Sequence, residues 1–521
     1  LLTWPESCIV HDIKGENWQL TAGFRAQHGR VLLFDPTNPA SAAYNPLLEI
    51  RKGEWEVRDA QNVADVLVDP EGSLEKRNHW EKTSHALLVG SILHVLYAEA
   101  DKTLAGVAAF LSDPRRPIET TLRAMMTTPH LGDGKVHPVV ASAARELLNK
   151  SDNERSGVLS TAMSFLGLYR DPVIAHVTRR CDWRIADLVN GPRAVSLYLV
   201  IPPSDISRTK PLIRLILNQI GRRLTEELTP KGNRHRVLMV LDEFPALGRL
   251  DFFEAALAFM AGYGLKAMLI AQSLNQVDKA YGQNNSILDN CHVRVSFTTN
   301  DERTAKRLSD ALGTATELRA MKNYAGHRLS PWLGHLMVSR SETSRPLLTP
   351  GEVMQLPAND EIVMVSGLAP IRGTKARYYV DPQFRARILP PPKALATTTA
   401  HLPSDDWTSL DPVPAPAPPT PAPEAAPPPP QADAPQAPDD GDTNEATTET
   451  ATDNANGGIR QDPALERHED IAPPAKAPGG EFDFDALHPD EEANQLRRAA
   501  DRAMSGHARR AALDPDDGIE L

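Results

Sequence analysis

Two adjacent carboxylates, Asp242 and Glu243, close an unbroken apolar run, Val237-Leu238-Met239-Val240-Leu241. Such a run reads as a strand buried on both faces of a parallel sheet, and ligands gather at the C-terminal ends of strands in open α/β folds. Placed there, Asp242 suits a hard cation such as Mg²⁺. Glu243 suits orienting and polarising an attacking water, the chemistry of ATP hydrolysis. A core strand that merely ends in solvated acids fits the same residues. The rest of the chain decides between the two.

Four further groups sit where a nucleotide site needs them. Gln272 follows the apolar run Lys266–Ile270, the next strand in sequence, and its amide can contact a γ-phosphate and register hydrolysis. Asp12-Ile13-Lys14-Gly15-Glu16 follows the first strand, with glycine permitting a tight exit, and adds Asp12 and Lys14 to the candidate nucleotide-binding residues. Asp35-Pro36 ends the following strand, with Tyr44-Asn45-Pro46 beyond it. Arg294, Arg303 and Arg307 lie on and after the run Val293–Thr298, where a subunit interface could lie. Taken singly, the last three groups fit ordinary turn and surface residues better than a nucleotide site.

The elements that must position these residues alternate in type. Cys8–His11 and Val31–Phe34 are β-rich, with a helix expected over Asn17–His28 between them, a βαβ unit. From about Glu54 the texture becomes helical. Val57, Ala60, Val63, Ala64 and Leu67, and then Leu88, Ile92, Leu93 and Leu96, recur at helical spacing, and no strand-like run interrupts them up to Arg180. His79, His85 and His94 fall in this block at spacings that do not share one helical face, which argues against a metal site there. Alternation resumes with a strand at Ala194–Ile201 and a helix over Pro211–Leu228, proline in its first turn. After the acidic strand come a helix over Phe252–Tyr263, the strands Lys266–Ile270 and Val293–Thr298, and a helix from Glu302 to Leu312 stopped by Gly313. Two late runs, Ile362–Val365 and Ala376–Val380, are placed as closing the sheet or covering its edge. The expected fold is α/β, a doubly wound sheet split into residues 1–53 and 186–389 by an inserted all-α domain at 54–185.

Charge is unevenly spread over the 521 residues. From Lys393 onward there are 26 acidic and 9 basic residues, a net of −17; the remainder carries 42 and 47, a net of +5. A mildly basic body with an acidic tail hints at an anionic partner, although a solvated surface explains +5 as well. Residues 390–521 hold 23 of the 45 prolines and bury too little apolar surface to offset ordering entropy. They are expected to be a disordered Pro/Ala/acidic tail, with one helix-capable patch at 491–512 where Leu496, Ala499, Ala500 and Met504 fall at helical spacing. Three distant cysteines, Cys8, Cys181 and Cys291, form no metal-ligand or disulfide pattern. No apolar run reaches the roughly 18 residues that cross a bilayer. The chain opens without methionine, almost directly on a strand, as if entering a fold already under way.

In this order and spacing, the blocks Val10–Glu16, Val31–Pro36 with Tyr44-Asn45-Pro46, Leu241–Gly248, Gly262-Tyr263-Gly264 and Ile270–Ser273 resemble the conjugative coupling proteins of type IV secretion systems, the TraG family. The resemblance spans residues 1 to about 380. It implies a RecA-like P-loop NTPase, a homo-hexameric ATPase at the cytoplasmic face of the bacterial inner membrane. Such a protein delivers DNA–relaxase complexes to the secretion channel and uses ATP and Mg²⁺ to drive DNA translocation. It further implies that Asp242 and Glu243 are the Walker B pair, that Gln272 senses phosphate, and that the helical block receives substrate.

Two departures stand out. The phosphate loop G-x-x-x-x-G-K-[ST] is absent: the only Gly-Lys pair, Gly134-Lys135, is followed by Val136 and has Pro129 at the first glycine position. In the family the loop comes just before the segment that begins here, and the membrane helices earlier still. This polypeptide alone is therefore expected to lack the main triphosphate contact and the anchor, to hydrolyse no ATP and to form no stable hexamer. Nor does Leu257–Gly264 supply an arginine finger, which leaves Arg249, Arg294, Arg303 and Arg307 as unranked candidates. Three alternatives remain: a chromosomal DNA translocase, a conjugation ATPase that assembles the channel, and a non-hydrolysing substrate receptor.

Overall fold

The computed structural model describes residues 1–72, 77–228, 235–325, 335–393 and 402–414. Five strands form one parallel sheet: β1 (Ser7–Asp12), β2 (Arg30–Phe34), β3 (Val195–Val200), β4 (Val237–Leu241) and β5 (Leu265–Leu269), in the order β2-β3-β1-β4-β5. The register sets Cys8 beside Ser196 and His11 beside Leu241. Burial on both faces explains the apolar runs of β3 and β4 and the near-complete burial of β1, whereas the edge strand β5 exposes Lys266 and Met268. Ile9, Leu32, Phe34, Leu197, Leu199, Met239 and Leu241 enter the large core. Their neighbours Cys8, Val10, Leu33, Tyr198 and Val240 enter a second one, with Trp18 and Ala22 of helix α1 (Glu16–His28). Helices thus cover both faces, a RecA-like, doubly wound arrangement.

Between β2 and β3 the chain is helical, through α2 (Glu56–Leu67), α3 (His79–Ala98), α4 (Leu104–Leu111), α5 (Ile118–Thr127), α6 (Pro138–Leu148), α7 (Asp152–Phe165), α8 (Pro172–Val177) and α9 (Asp187–Asn190). The organiser is α3. Its residues from Leu87 to Ala98 are all buried, and an Asn78–Glu81 capping box satisfies its free N-terminal amides. The three histidines on α3 go separate ways. His79 pairs with Glu154 and His85 with Asp65, whereas His94 is buried with its Nδ1 2.8 Å from His130 Nε2.

Several boundaries differ from the sequence reading. The helix α10 begins at Ile206 and runs to Leu224, so Pro211 lies inside it. The single helix expected over Phe252–Tyr263 is instead α11 (Asp251–Ala256) and a separate 3₁₀ turn at Met260–Tyr263, which ends on Gly264 at φ 82°. After α12 (Leu274–Tyr281), the strand β6 (Val293–Ser296) leaves the parallel sheet. It pairs antiparallel with β9 (Asp360–Val365), which pairs with β10 (Ile371–Thr374). The late strands therefore build a sheet of their own rather than closing the first, and Ala376–Val380 is not a strand.

The helices α13 (Glu302–Leu312) and α14 (Pro350–Met354) pack on that second sheet through Leu308, Leu312, Val353 and Ile362. As expected, Gly313 stops α13, with φ 82°. Between α13 and α14 runs a hairpin of β7 (Thr314–Ala325) and β8 (His335–Pro346). Its strands, TATELRAMKNYA and HLMVSRSETSRP, are largely polar and gave no clear strand signal. The helix α15 (Pro382–Arg387) follows, and the Arg387 guanidinium donates to Leu2 O at 2.7 Å.

Among the described residues of the acidic tail, one segment packs on the body. Residues 402–414 return to the helical domain and bury Trp407 completely. The helix-capable patch at 491–512 lies outside the described residues.

Candidate active site

Three adjacent parallel strands deliver the acidic residues to one end of the sheet. Asp12 ends β1, Asp242 and Glu243 follow β4, and Gln272 follows β5. The parallel register makes this unavoidable, because His11 pairs with Leu241 and Leu241 with Leu269.

Asp12 is buried, and its Oδ2 accepts the Trp18 amide at 2.8 Å across the turn in which Gly15 adopts φ 74°. Its Oδ1 is buried without a hydrogen-bond partner. Burial raises the Asp12 pKa against the pull of the turn amides, and the neighbouring Asp242 charge raises it further. A buried carboxylate oxygen without a hydrogen-bond partner, under the influence of a second carboxylate, is a place where a cation gains most. Lys14 is exposed on the same turn.

His11, which sequence reasoning passed over, fixes the relation between the two strands. Its Nδ1 lies 2.8 Å from the Asp242 carbonyl, while the Asp242 amide donates to His11 O at 3.2 Å. A carbonyl only accepts, so Nδ1 carries the proton. Burial lowers the His11 pKa, and the neutral ring leaves its buried Nε2 as a bare acceptor. Nothing in the sequence beyond its place before Asp12 pointed to this.

Glu243 sits at φ 49°, ψ 45°, left-handed backbone shared among described non-glycine residues only by Asp133. For a residue with a Cβ this costs about 1–2 kcal/mol and is held in place by its surroundings. Here the Phe244 amide donates to Ile270 O at 2.9 Å, and buried Phe244 stacks on Tyr281. The strained turn aims the Glu243 carboxylate at the end of β5, where the Gln272 side-chain amide donates to its Oε1 at 2.6 Å.

The other candidates serve different ends. Asp35 Oδ1 accepts the Thr37 amide and hydroxyl in a local turn at the end of β2, two strands away from β1. Tyr44 stacks on Trp183 and donates to Gln219, and Asn45 donates to Lys102 O, so these residues bind the helical domain to the sheet. Of the arginines, Arg249 pairs with Glu254, Arg294 donates to Leu288 O and Arg303 donates to Asn275. Arg307, half exposed, reaches Asp278 at 3.9 Å. Gly134-Lys135 lies in a turn between α5 and α6, with Lys135 N donating to Gly132 O, and not at a strand end.

The carboxylate oxygens of Asp12, Asp242 and Glu243 are the kind of ligand Mg²⁺ prefers. Among the described residues no three metal-binding side chains converge on one point.

The family model for type IV secretory system conjugative DNA transfer matches residues 1–401. The chain belongs to that family. It is 42% identical over 424 residues to the conjugal transfer protein TraG of Escherichia coli, aligning 75% of this chain with 66% of that one. It is 30% identical over 406 residues to the protein VirD4 of Agrobacterium fabrum, covering 74% of this chain and 56% of that one. The chain thus spans just under two-thirds of its TraG relative and just over half of VirD4. Among solved structures, the bacterial conjugative coupling protein TrwBdeltaN70 in its unbound form superposes with a TM-score of 0.53 at 17% identity, over 71% of this chain and 78% of that one. The shared fold is the RecA-like P-loop NTPase fold. No described helix is long and apolar enough to cross a membrane.

Proposed function

We propose that this chain is the motor part of a coupling ATPase of conjugation and type IV secretion. In this reading it works as a homo-hexamer at the cytoplasmic face of the bacterial inner membrane. It delivers DNA–relaxase complexes to the transfer channel and drives DNA translocation with ATP hydrolysis. The observation that carries this reading is the Glu243–Gln272 contact at 2.6 Å beside Asp242. It joins a water-activating carboxylate to an amide able to report the γ-phosphate.

ATP would supply the phosphoryl group and Mg²⁺ the charge that neutralises it. Asp242 would hold the cation, and Asp12, whose Oδ1 has no hydrogen-bond partner, would add a second carboxylate to its surroundings. Glu243 orients and polarises the attacking water, and its strained backbone keeps the carboxylate aimed out of the sheet end. Gln272 competes for the same carboxylate, so its side chain has two partners to choose between. A switch of that kind couples occupancy to the segment from Gln272 into α12. Lys14, exposed on the Asp12 turn, adds a positive charge at the rim. The body would grip the nucleic-acid backbone rather than read bases.

The test is nucleotide affinity and turnover, comparing this chain with the protein lengthened upstream through a phosphate loop. ATP-dependent phosphate release by the lengthened protein, lost on Asp242→Ala, supports the motor; release that survives Asp242→Ala overturns the site. The absence of G-x-x-x-x-G-K-[ST] from the 521 residues favours a second reading for this chain taken alone, a substrate receptor that does not hydrolyse ATP. Mant-ATP binding by this chain at the lengthened protein's affinity would overturn that second reading.

A further inference from the structure

Trp407 lies in a proline-rich acidic segment, yet it is 0% exposed. Its indole Nε1 donates to Ile50 O at 2.6 Å. Its ring meets Tyr97 edge-on with centroids 5.0 Å apart, and Lys52 Nζ lies 5.5 Å from the Tyr97 ring and 6.0 Å from the Trp407 ring. Backbone contacts flank this anchor on both sides. The Arg184 guanidinium donates to Ser404 O at 3.1 Å, and Val413 N donates to Ala98 O at 2.9 Å.

Charge matches as well. The Lys52 amide donates to Asp406 Oδ2 at 3.2 Å, and the Asp405 charge acts on Lys102. Asp405 Oδ1 also accepts the amides of Trp407 and Thr408 at 2.8 Å each, so the segment folds its own turn before it docks. The seat carries Lys52, Lys102 and an Arg184 paired with Glu49, and belongs to the helical domain and its borders: Ile50 and Lys52 precede α2, and Tyr97 and Ala98 end α3. The occupant itself forms no helix and adds no strand to any of the sheets.

One buried aromatic anchor, acidic flanks on basic residues and a few backbone bonds are how a domain recognises a short linear peptide. A core segment would instead be held by continuous packing along its length, whereas in residues 402–414 Trp407 alone is fully buried, Leu410 packs partly beside it and Leu402 is 43% exposed. We propose that the surface formed by Ile50, Lys52, Tyr97, Ala98 and Arg184 is an exchangeable docking site for Asp-Asp-Trp peptide segments, filled in cis by residues 404–413. The site is separate from the carboxylate cluster and does not depend on its being an ATPase site. A protein bearing such a segment would displace the tail from the helical domain, and the tail would otherwise keep the seat closed.

The probe is a fluorescently labelled synthetic peptide with the sequence of residues 402–414, titrated into the full chain by anisotropy. The tethered segment competes at high effective concentration, so the unaltered chain should bind the probe weakly. Trp407→Ala in the full chain empties the seat and should bind the probe at least tenfold more tightly. A probe carrying Trp407→Ala should bind neither chain. Equal affinity for both chains, or no binding to a Trp407→Ala chain that still unfolds cooperatively, overturns the proposal. Trp407→Phe keeps a ring against Tyr97 but loses the bond to Ile50 O. If the alanine variant fails to fold, Trp407→Phe must still bind the probe more tightly than the unaltered chain. No gain there overturns the proposal too.

Discussion

The side-chain amide of Gln272 donates to Glu243 Oε1 at 2.6 Å, linking the ends of neighbouring strands β4 and β5. A carboxylate in strained backbone and an amide on the adjacent strand therefore form one unit.

Removing the Glu243 charge should stop turnover and spare binding. In the protein carrying a phosphate loop, Glu243→Gln is expected to lower ATP hydrolysis by roughly 10²-fold or more, the scale of a lost general base, with nucleotide affinity nearly unchanged. Steady-state phosphate release and mant-ATP titration measure the two. Hydrolysis at the parental rate would exclude Glu243 as the water-activating group.

Gln272→Glu replaces the donor with a like charge 2.6 Å from the Glu243 oxygen. Two carboxylates that close cannot both ionise readily, so the pair should share a proton. The pH profile of turnover should then shift its acidic limb upward, whereas Gln272→Ala should slow turnover without moving that limb. Coincident profiles for the two variants would mean that the contact plays no part in the chemistry.

Two truncations should separate the anchored part of the tail from the rest. Ending the chain after residue 414 keeps the Trp407 anchor, and the thermal transition should stay where it is. Ending it after residue 393 removes buried Trp407 and should destabilise by about 3–5 kcal/mol, the usual effect of deleting a large buried aromatic. Calorimetry of the three chains decides. A transition unmoved by the deeper cut would show that Trp407 adds nothing to the fold.

The shorter truncation also tests charge. Residues 415–521 carry 23 acidic and 8 basic residues, while residues 1–392 have a net of +5. A tethered polyanion competes with DNA for the same basic surface. Its removal should therefore strengthen non-specific DNA binding at low salt, and the gain should fade as salt rises. Equal affinities at low salt would leave the tail no such role.

His130 sets an acid limit for the helical domain. Burial, then the neighbouring His94 and His137, take its pKa from 6.5 down to about 3. The folded chain keeps this imidazole neutral while the unfolded chain protonates it below about 6.5. Unfolded chains then bind more protons, so stability is present above 6.5 and drains away as pH falls toward 3. His130→Asn should flatten that limb in urea midpoints measured across the range. An unchanged slope would assign the acid sensitivity to other groups.

Sequence alone determined much of the site because parallel strands buried on both faces must be continuously apolar. The runs before Asp12 and Asp242 therefore announced strands whose C-terminal ends lie together, and with them the carboxylates. Gly313 marked the end of α13 for an equally local reason, the left-handed backbone it adopts. What stayed hidden depends on partners distant in sequence. The order β2-β3-β1-β4-β5 decided that His11 would meet the Asp242 carbonyl and that Asp35 would stand apart. Antiparallel pairing with β9 drew β6 out of the main sheet, a choice no strand carries in its own composition. Trp407 sits in a stretch whose composition argues against any packing, and only the cleft between Ile50 and Tyr97 makes its burial favourable. Local propensity and periodicity are written in consecutive residues, whereas the free energy of a long-range contact belongs to the pair.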